Sequence, residues 1–205
     1  MTLQPTLSLW DEPAPNHRER IVAYSHDRVS WIRARSRGVT ATDAARLSSD
    51  RAVDSVAAEK LAGRGFTGNA FTDHGRTREP VIARWVLQQH RIHPSAALFH
   101  ALDAPRHLAT PDGVSVVDGA LVLAEIKTTR KAWRTIPRSY LRQVWWQQYV
   151  LGADRTLVVW EEHDAFVPVH AEPRCQWVDR DDNEIHQLIR RAEMLIERLP
   201  APIRP

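Results

Sequence analysis

Asp112, Glu125 and Lys127, with Thr110 beside them, are the residues whose types and spacing could do chemistry together. A turn sets their spacing. Asp118-Gly119 is a strong two-residue hairpin signal, flanked by Val114-Ser-Val-Val117 and Ala120-Leu-Val-Leu-Ala124. With those two residues as the loop, Val117 faces Ala120, Asp112 faces Glu125 and Thr110 faces Lys127. Side chains alternate along a strand, so all four share one face. Facing β-carbons sit about 5 Å apart. Two carboxylates at that separation repel unless a cation lies between them, and an oxygen-loving divalent ion such as Mg2+ suits that place. The competing reading is a surface hairpin with scattered charges. The apolar run Leu121–Ala124 leading into Glu125 weighs against it, because charges that end a buried strand need partners. A β-bulge near Pro111 would shift the register by one residue.

Two helices and a basic stretch are needed around that hairpin. His74 to Gln89 reads as a long helix with Val81, Ile82, Trp85 and Val86 as its apolar stripe. Glu79 lies at the edge of the stripe and is expected to point inward. It is either the partner of an arginine or a third acidic group above Asp112 and Glu125. Lys127 to Arg142 holds six basic side chains (Lys127, Arg130, Lys131, Arg134, Arg138, Arg142) and no acidic one, with Trp133 and Tyr140 interleaved. Beside a metal site, such a stretch suits contact with a phosphate backbone. A helix from Ser139 to Leu151 follows, closed by Gly152. It carries Gln143 and Gln147 one turn apart, with Val144 and Leu151 as apolar support.

The remaining chain frames a mixed sheet. Residues 1–16, with Pro5, Pro13 and Pro15, read as an irregular arm. Helical character is expected from Arg18 to Arg37, with Asp27 as a cap and Gly38 as the stop. Thr40-Ala-Thr-Asp43 caps a short helix, Ala44 to Leu47. Another helix covers Ala52 to Ala62, stopped by Gly63 and Gly65. Thr156–Trp160 is a buried strand and Arg174–Val178 another. Asp182 to Leu199 is an amphipathic helix with Ile185, Leu188, Ile189, Ala192, Leu195 and Ile196 on one face. The expectation is a single α/β (α+β) domain over residues 17–199, a mixed central sheet flanked by helices, and a tail at 200–205.

Composition narrows the class. A chain of 205 residues can bury a sizeable core. A formal charge of +3 with a sequence pI of about 9.4 is mildly basic and compatible with a polyanionic partner. The single cysteine, Cys175, excludes a disulfide framework and any multi-cysteine zinc or iron–sulfur site, and is expected to be a reduced, buried thiol. His90 and His93, the closest pair of ten histidines, read as surface residues. No apolar run reaches membrane-spanning length and the N-terminus lacks a signal-peptide core, so a cytoplasmic location is expected.

Four blocks in one order carry a resemblance. They are Trp31-x-x-x-Arg35 with Gly38-Val-Thr-Ala-Thr-Asp43; Gly75-x-x-x-Glu79-Pro80; Thr110-Pro-Asp-Gly113 with Glu125-Ile-Lys127; and Tyr140-x-x-Gln143-Val144. Over about residues 27 to 160 the chain resembles phage recombination nucleases of the lambda exonuclease and YqaJ type, within the PD-(D/E)XK superfamily. The resemblance implies a restriction-endonuclease-like core. It also implies a Mg2+- or Mn2+-dependent exonuclease that degrades one strand of duplex DNA from a 5′ end and leaves 3′ single-stranded overhangs. Such enzymes form ring-shaped trimers and pair with a single-strand annealing protein. By the same resemblance, Asp112, Glu125 and the Ile126 carbonyl are metal ligands, Glu79 is the additional acidic group, and Lys127 positions the attacking water. Arg35, Thr42, Thr110 and Gln143 are the pocket for a 5′-phosphate, with threonine at two positions where serine is common. Arg130, Lys131, Trp133 and Arg134 are expected against DNA. A structure-specific endonuclease and a non-catalytic DNA-end-binding protein are the rival readings.

Overall fold

The computed structural model describes residues 16–63 and 69–200. The expected arm at 1–16 except for Asn16, the stop at Gly65, and the expected tail at 200–205 except for Pro200 lie outside the described residues. After a 3-10 turn at His17–Arg20, the chain forms β1 (Ile21–Tyr24), α1 (Arg28–Arg37), β2 (Val39–Thr40), α2 (Ala41–Arg46), α3 (Asp50–Leu61) and α4 (Ala70–His90). Strands β3 (His93–Pro94), β4 (Ala97–Ala101), β5 (Ala104–Ala109), β6 (Gly113–Val117) and β7 (Ala120–Thr129) follow. The chain continues through α5 (Arg138–Leu151), β8 (Arg155–Asp164), β9 (Val167–Pro168), β10 (Arg174–Asp179) and α6 (Asp182–Arg198).

Local chemistry explains most helix ends. Asp27 accepts from the Ser30 N–H at the start of α1. Thr40 and Asp43 form a reciprocal capping box on α2, so that helix starts three residues before the expected Ala44. Ser49, Asn69 and Asp181 cap α3, α4 and α6. Gly152 closes α5 with φ of 73°, in the left-handed region that glycine tolerates. Pro80 lies inside α4 and removes one backbone donor directly after Glu79.

The strands form two sheets. One has the order β1-β4-β5-β2, with β2 parallel to β5. The other has the order β10-β8-β7-β6-β3, with β9 added on β8. In it β7 and β8 run parallel, joined by the α5 crossover, and the other pairs are antiparallel. This is the mixed α/β architecture that the sequence suggested, with two corrections. The segment read as helix from Arg18 holds β1, and Leu108–Ala109 belong to β5 in the other sheet instead of extending the hairpin.

The two faces of β7 are buried by different helices. Leu121 and Leu123 join the core built with α2, α3, α5 and α6, where Trp146 and Leu151 are fully buried. Val122, Ala124 and Ile126 pack with Leu157 and Val159 of β8 against Ile82, Ala83 and Val86 of α4. Val81, expected in that stripe, is exposed. Arg20 ties the N-terminal segment to α5, donating to the carbonyls of Val150 at 2.5 Å and Leu151 at 2.9 Å. Gly38 is required where α1 enters β2, because a β-carbon there would lie 2.6 Å from the Arg106 carbonyl oxygen. Cys175, expected to be buried, is exposed: β10 is an edge strand and the thiol stands off the core. No helix among the described residues is long and apolar enough to cross a membrane.

Candidate active site

The hairpin register is the one that the Asp118-Gly119 turn demands, with both turn residues at positive φ. Val117 pairs with Ala120, and the ladder runs to Gly113 opposite Ala124. There it stops. The Asp112 N–H donates to the Ala124 carbonyl, one residue short of its register partner Glu125. Thr110 is therefore not laddered to Lys127, as the uninterrupted hairpin required. The Asp112 carboxylate still reaches across to β7, accepting the Ile126 N–H at 2.7 Å. Alternation puts Glu125 and Lys127 on the face of Leu121 and Leu123, toward α5.

Glu125 is buried, 2% exposed, and α5 surrounds it with donors. Gln147 Nε2 donates to Oε2 at 2.6 Å, and Gln143 Nε2 donates to Oε1. Lys127 Nζ donates to the same Oε1 and lies 5.2 Å from the Tyr140 ring centre. The sequence paired Gln143 with Gln147 by their one-turn spacing but assigned only Gln143 to the site. Their common partner explains the spacing, since residues four apart on a helix lie on one face. Gln143, expected to meet a terminal phosphate, here spends an amide proton on Glu125.

Glu79 comes from α4 and lines an open groove with Phe71, Gly75, Ile126, Lys127 and Tyr140. It is exposed at the groove mouth, not turned into the core as expected. Its carboxyl is nevertheless raised above the ordinary value, first by partial desolvation and then by the charge of Glu125. Asp112 is raised well above its ordinary value by desolvation first, then by Glu125, with Glu79 adding to it. Burial pulls Lys127 down, but Glu125 and Asp112 outweigh it and hold the side chain as an ammonium. Three carboxylates thus press on one another at the carboxyl end of β7, with one lysine among them.

Among the described residues, no three histidine, cysteine or acidic side chains are gathered closely enough to form a ready metal cluster. Mg2+ does not need one: it usually keeps several waters and takes one or two carboxylates plus substrate phosphate oxygens. Asp112, Glu125 and the Ile126 carbonyl offer only oxygen, and the mutual repulsion of the carboxylates is what a cation would relieve. The donor set fits a hard divalent ion.

The remaining predicted residues divide. Arg35 stacks on Trp31, 4.1 Å from the ring centre, and burial lowers its pKa while Asp43 supports its charge. Asp43 is held by Thr40 and by Lys60 at 2.8 Å. Thr42 is exposed in the first turn of α2. Parallel pairing of Thr40 with Leu108 sends Thr42 and Thr110 out of the same end of one sheet. The Thr110 hydroxyl is buried and has no hydrogen-bond partner. Arg130, Lys131 and Arg134 are exposed. The half-buried Trp133 ring stacks on Trp160 at 5.4 Å, lies tilted against Tyr140 at 5.1 Å and packs against the core.

The profile of the YqaJ-like viral recombinase domain matches residues 30–154. No curated protein is significantly similar in sequence. Among solved structures, the chain is similar to an alkaline exonuclease, LHK-Exo, from Laribacter hongkongensis, with a TM-score of 0.64 and 22% identity, over 82% of this chain and 91% of that one. LHK-Exo in complex with dAMP aligns with a TM-score of 0.63 and 19% identity over the same shares. A phage-related exonuclease from Haemophilus somnus 129PT aligns with a TM-score of 0.61 and 11% identity, over 78% of this chain and 92% of that one. At these identities the structural matches establish the fold alone, the mixed α/β fold of these exonucleases. The profile covers the capping box of α2, the hairpin with its two carboxylates and lysine, and the two glutamines of α5, and the chain belongs to the YqaJ-like viral recombinase domain family.

Proposed function

We propose that the protein is a divalent-metal-dependent deoxyribonuclease that digests duplex DNA from 5′ ends and leaves 3′ single-stranded overhangs for recombination. The observation that carries this reading is the set Asp112, Glu125 and Lys127 at the end of β7, with Glu79 across the groove and Glu125 clamped by two glutamines. Asp112, Glu125 and the Ile126 carbonyl would hold Mg2+ or Mn2+, and Glu79 would complete its shell. Such an ion neutralises charge on the scissile phosphate and lowers the pKa of a water it binds.

The chain's own groups do the rest. Lys127 is an ammonium, so it donates. It orients the attacking water through a hydrogen bond and offsets negative charge growing on the phosphate. Gln143 and Gln147 fix the Glu125 carboxylate before substrate arrives. Arg35, Thr42 and Thr110 bind the terminal 5′-phosphate, and the unpartnered Thr110 hydroxyl is a donor with nothing else to meet. Arg130, Lys131 and Arg134 follow the backbone. LHK-Exo, whose fold the chain shares, has been crystallised in complex with dAMP, and that supports a nucleic-acid substrate. Assembly as a ring-shaped trimer and work beside a single-strand annealing protein belong to the same reading.

The test is digestion of linear duplex DNA with 5′-phosphate or 5′-hydroxyl ends, against a closed circle. Mg2+ and EDTA arms are run for wild type and Asp112→Ala. Mg2+-dependent loss of linear DNA only, faster with 5′-phosphate and abolished in the variant, is the expected result. Cutting of the closed circle would turn the reading to an endonuclease. Activity that survives EDTA or Asp112→Ala would remove the metal site.

A further inference from the structure

We propose that Phe71 and Phe166 form a stacking platform for an unpaired nucleobase of the DNA strand that lies in the catalytic groove, a subsite that rests on the DNA-processing reading above. Phe71 opens α4 and Phe166 sits at the tip of the β8–β9 hairpin, yet their rings meet at 5.3 Å between centres. Both are 42% exposed. They line a cavity of about 580 Å3 with Arg130, Glu162, His163, Asp164 and Val169. Phe71 also lines the groove that holds Glu79 and Lys127, so the two spaces share a wall.

The surroundings select a base. The Arg130 guanidinium lies 4.9 Å from the Phe71 ring centre, placing a cation where a backbone phosphate would run beside a stacked base. The same cavity is lined by Glu162 and Asp164, whose carboxylates repel phosphate but accept hydrogen bonds from the amino and imino groups of bases. His163 stacks under Phe166 at 5.5 Å and 18°, and His74 stands 4.5 Å from His163. His163 is 3% exposed, and its Nδ1 and the Nε2 of His74 have no hydrogen-bond partner. The hairpin is also held in an unfavourable shape. Ala165 and Phe166 have φ of 46° and 68°, a conformation that bulky L residues avoid, and it is this turn that swings the Phe166 ring over His163.

The test is binding without catalysis. In EDTA, fluorescence anisotropy compares a short single-stranded oligonucleotide with an abasic backbone of the same length. Wild type should bind the base-bearing strand about ten- to hundredfold more tightly. The double variant Phe71→Ala/Phe166→Gly should bring that ratio near one while affinity for the abasic strand stays unchanged. Glycine accepts positive φ, so the turn is retained, and a thermal melt checks the fold. A ratio unaltered in the variant, or an equal loss on both strands, overturns the platform. Duplex digestion by wild type is measured alongside: its absence would sink the nuclease reading, whereas the base-to-abasic ratio decides the platform by itself.

Discussion

Gln147→Leu separates support of the site from support of the fold. Gln147 is fully buried and gives Glu125 Oε2 its hydrogen bond at 2.6 Å. Leucine fills nearly the same volume, so no sizeable cavity forms. What is lost is a hydrogen bond to a buried carboxylate, about 1.5–3 kcal/mol. The same substitution removes the Gln147 carbonyl oxygen, which is buried without a partner, and that relief offsets about 1–3 kcal/mol. The two partly cancel in stability, so unfolding should change by about 2 kcal/mol or less. They do not cancel in metal binding, because only the donor orients Glu125. Groups that hold a metal ligand in place are worth about ten- to hundredfold in affinity. The variant should therefore need about ten to a hundred times more Mg2+ for half-maximal digestion, with much of the rate recovered at saturating Mg2+. Gln148→Leu is the control. Its side chain serves Thr156 and Val178, so it should lower stability and leave the Mg2+ requirement alone. An unchanged Mg2+ requirement in Gln147→Leu would refute the claim that α5 positions Glu125 for metal.

Three further outcomes follow from the geometry. Arg35→Ala should slow digestion of 5′-phosphorylated ends about ten- to hundredfold and erase the preference over 5′-hydroxyl ends, and Arg35→Lys should restore little, because an ammonium cannot bind two phosphate oxygens in a plane; equal losses on both ends would misplace the pocket. Arg78 holds the buried Glu161 through two bonds of 2.8 and 2.6 Å, so Arg78→Leu should cost about 3 kcal/mol in chemical denaturation, and adding Glu161→Leu should recover much of it. His107 is pulled down to about 4, first by burial and then by Arg106, so the unfolded chain takes up a proton before the folded one does. Stability from this residue is complete above its ordinary value and is lost as the pH falls toward 4, by up to about 3 kcal/mol, and His107→Gln should flatten that slope between pH 7 and 4.5.

What the sequence made legible was local. The Asp118-Gly119 turn and alternating apolar residues gave the hairpin and the shared face of Glu125 and Lys127. Side-chain caps and apolar periodicity gave α3, α4, α5 and α6 to within a few residues, and the end of α1 at Gly38. The illegible parts depend on partners far along the chain. Ile21 of β1 pairs with Phe99, and β4 is a five-residue strand with no turn signal as strong as Asp-Gly. The Trp133 ring looked free among basic residues because nothing nearby announces Trp160 as its stacking partner. Cys175 reads as apolar, but only the sheet order reveals that its strand is an edge. Phe71 and Phe166 meet from elements far apart in the chain, and neither carries a local sign of the other.

The break in the hairpin ladder bears on how the site is assembled. A hairpin continuing to Leu108 would have left Thr110 and Asp112 as ordinary strand residues, in register with Lys127 and Glu125. Instead the chain leaves one sheet at Ala109 and enters the other at Gly113, so residues 110–112 bridge two sheets. Asp112 is fixed on the second sheet by the Ile126 N–H, while Leu108 is fixed on the first beside Thr40. Trp146 of α5 clasps the same seam, its indole N–H donating to the Leu108 carbonyl at 3.0 Å, one helix turn from Gln143 and beside Gln147. The helix that clamps Glu125 therefore also anchors the strand leading to Asp112. A substitution at Trp146 should therefore disturb the spacing of the two carboxylates, because it loosens the Leu108 end of the bridge that carries Asp112.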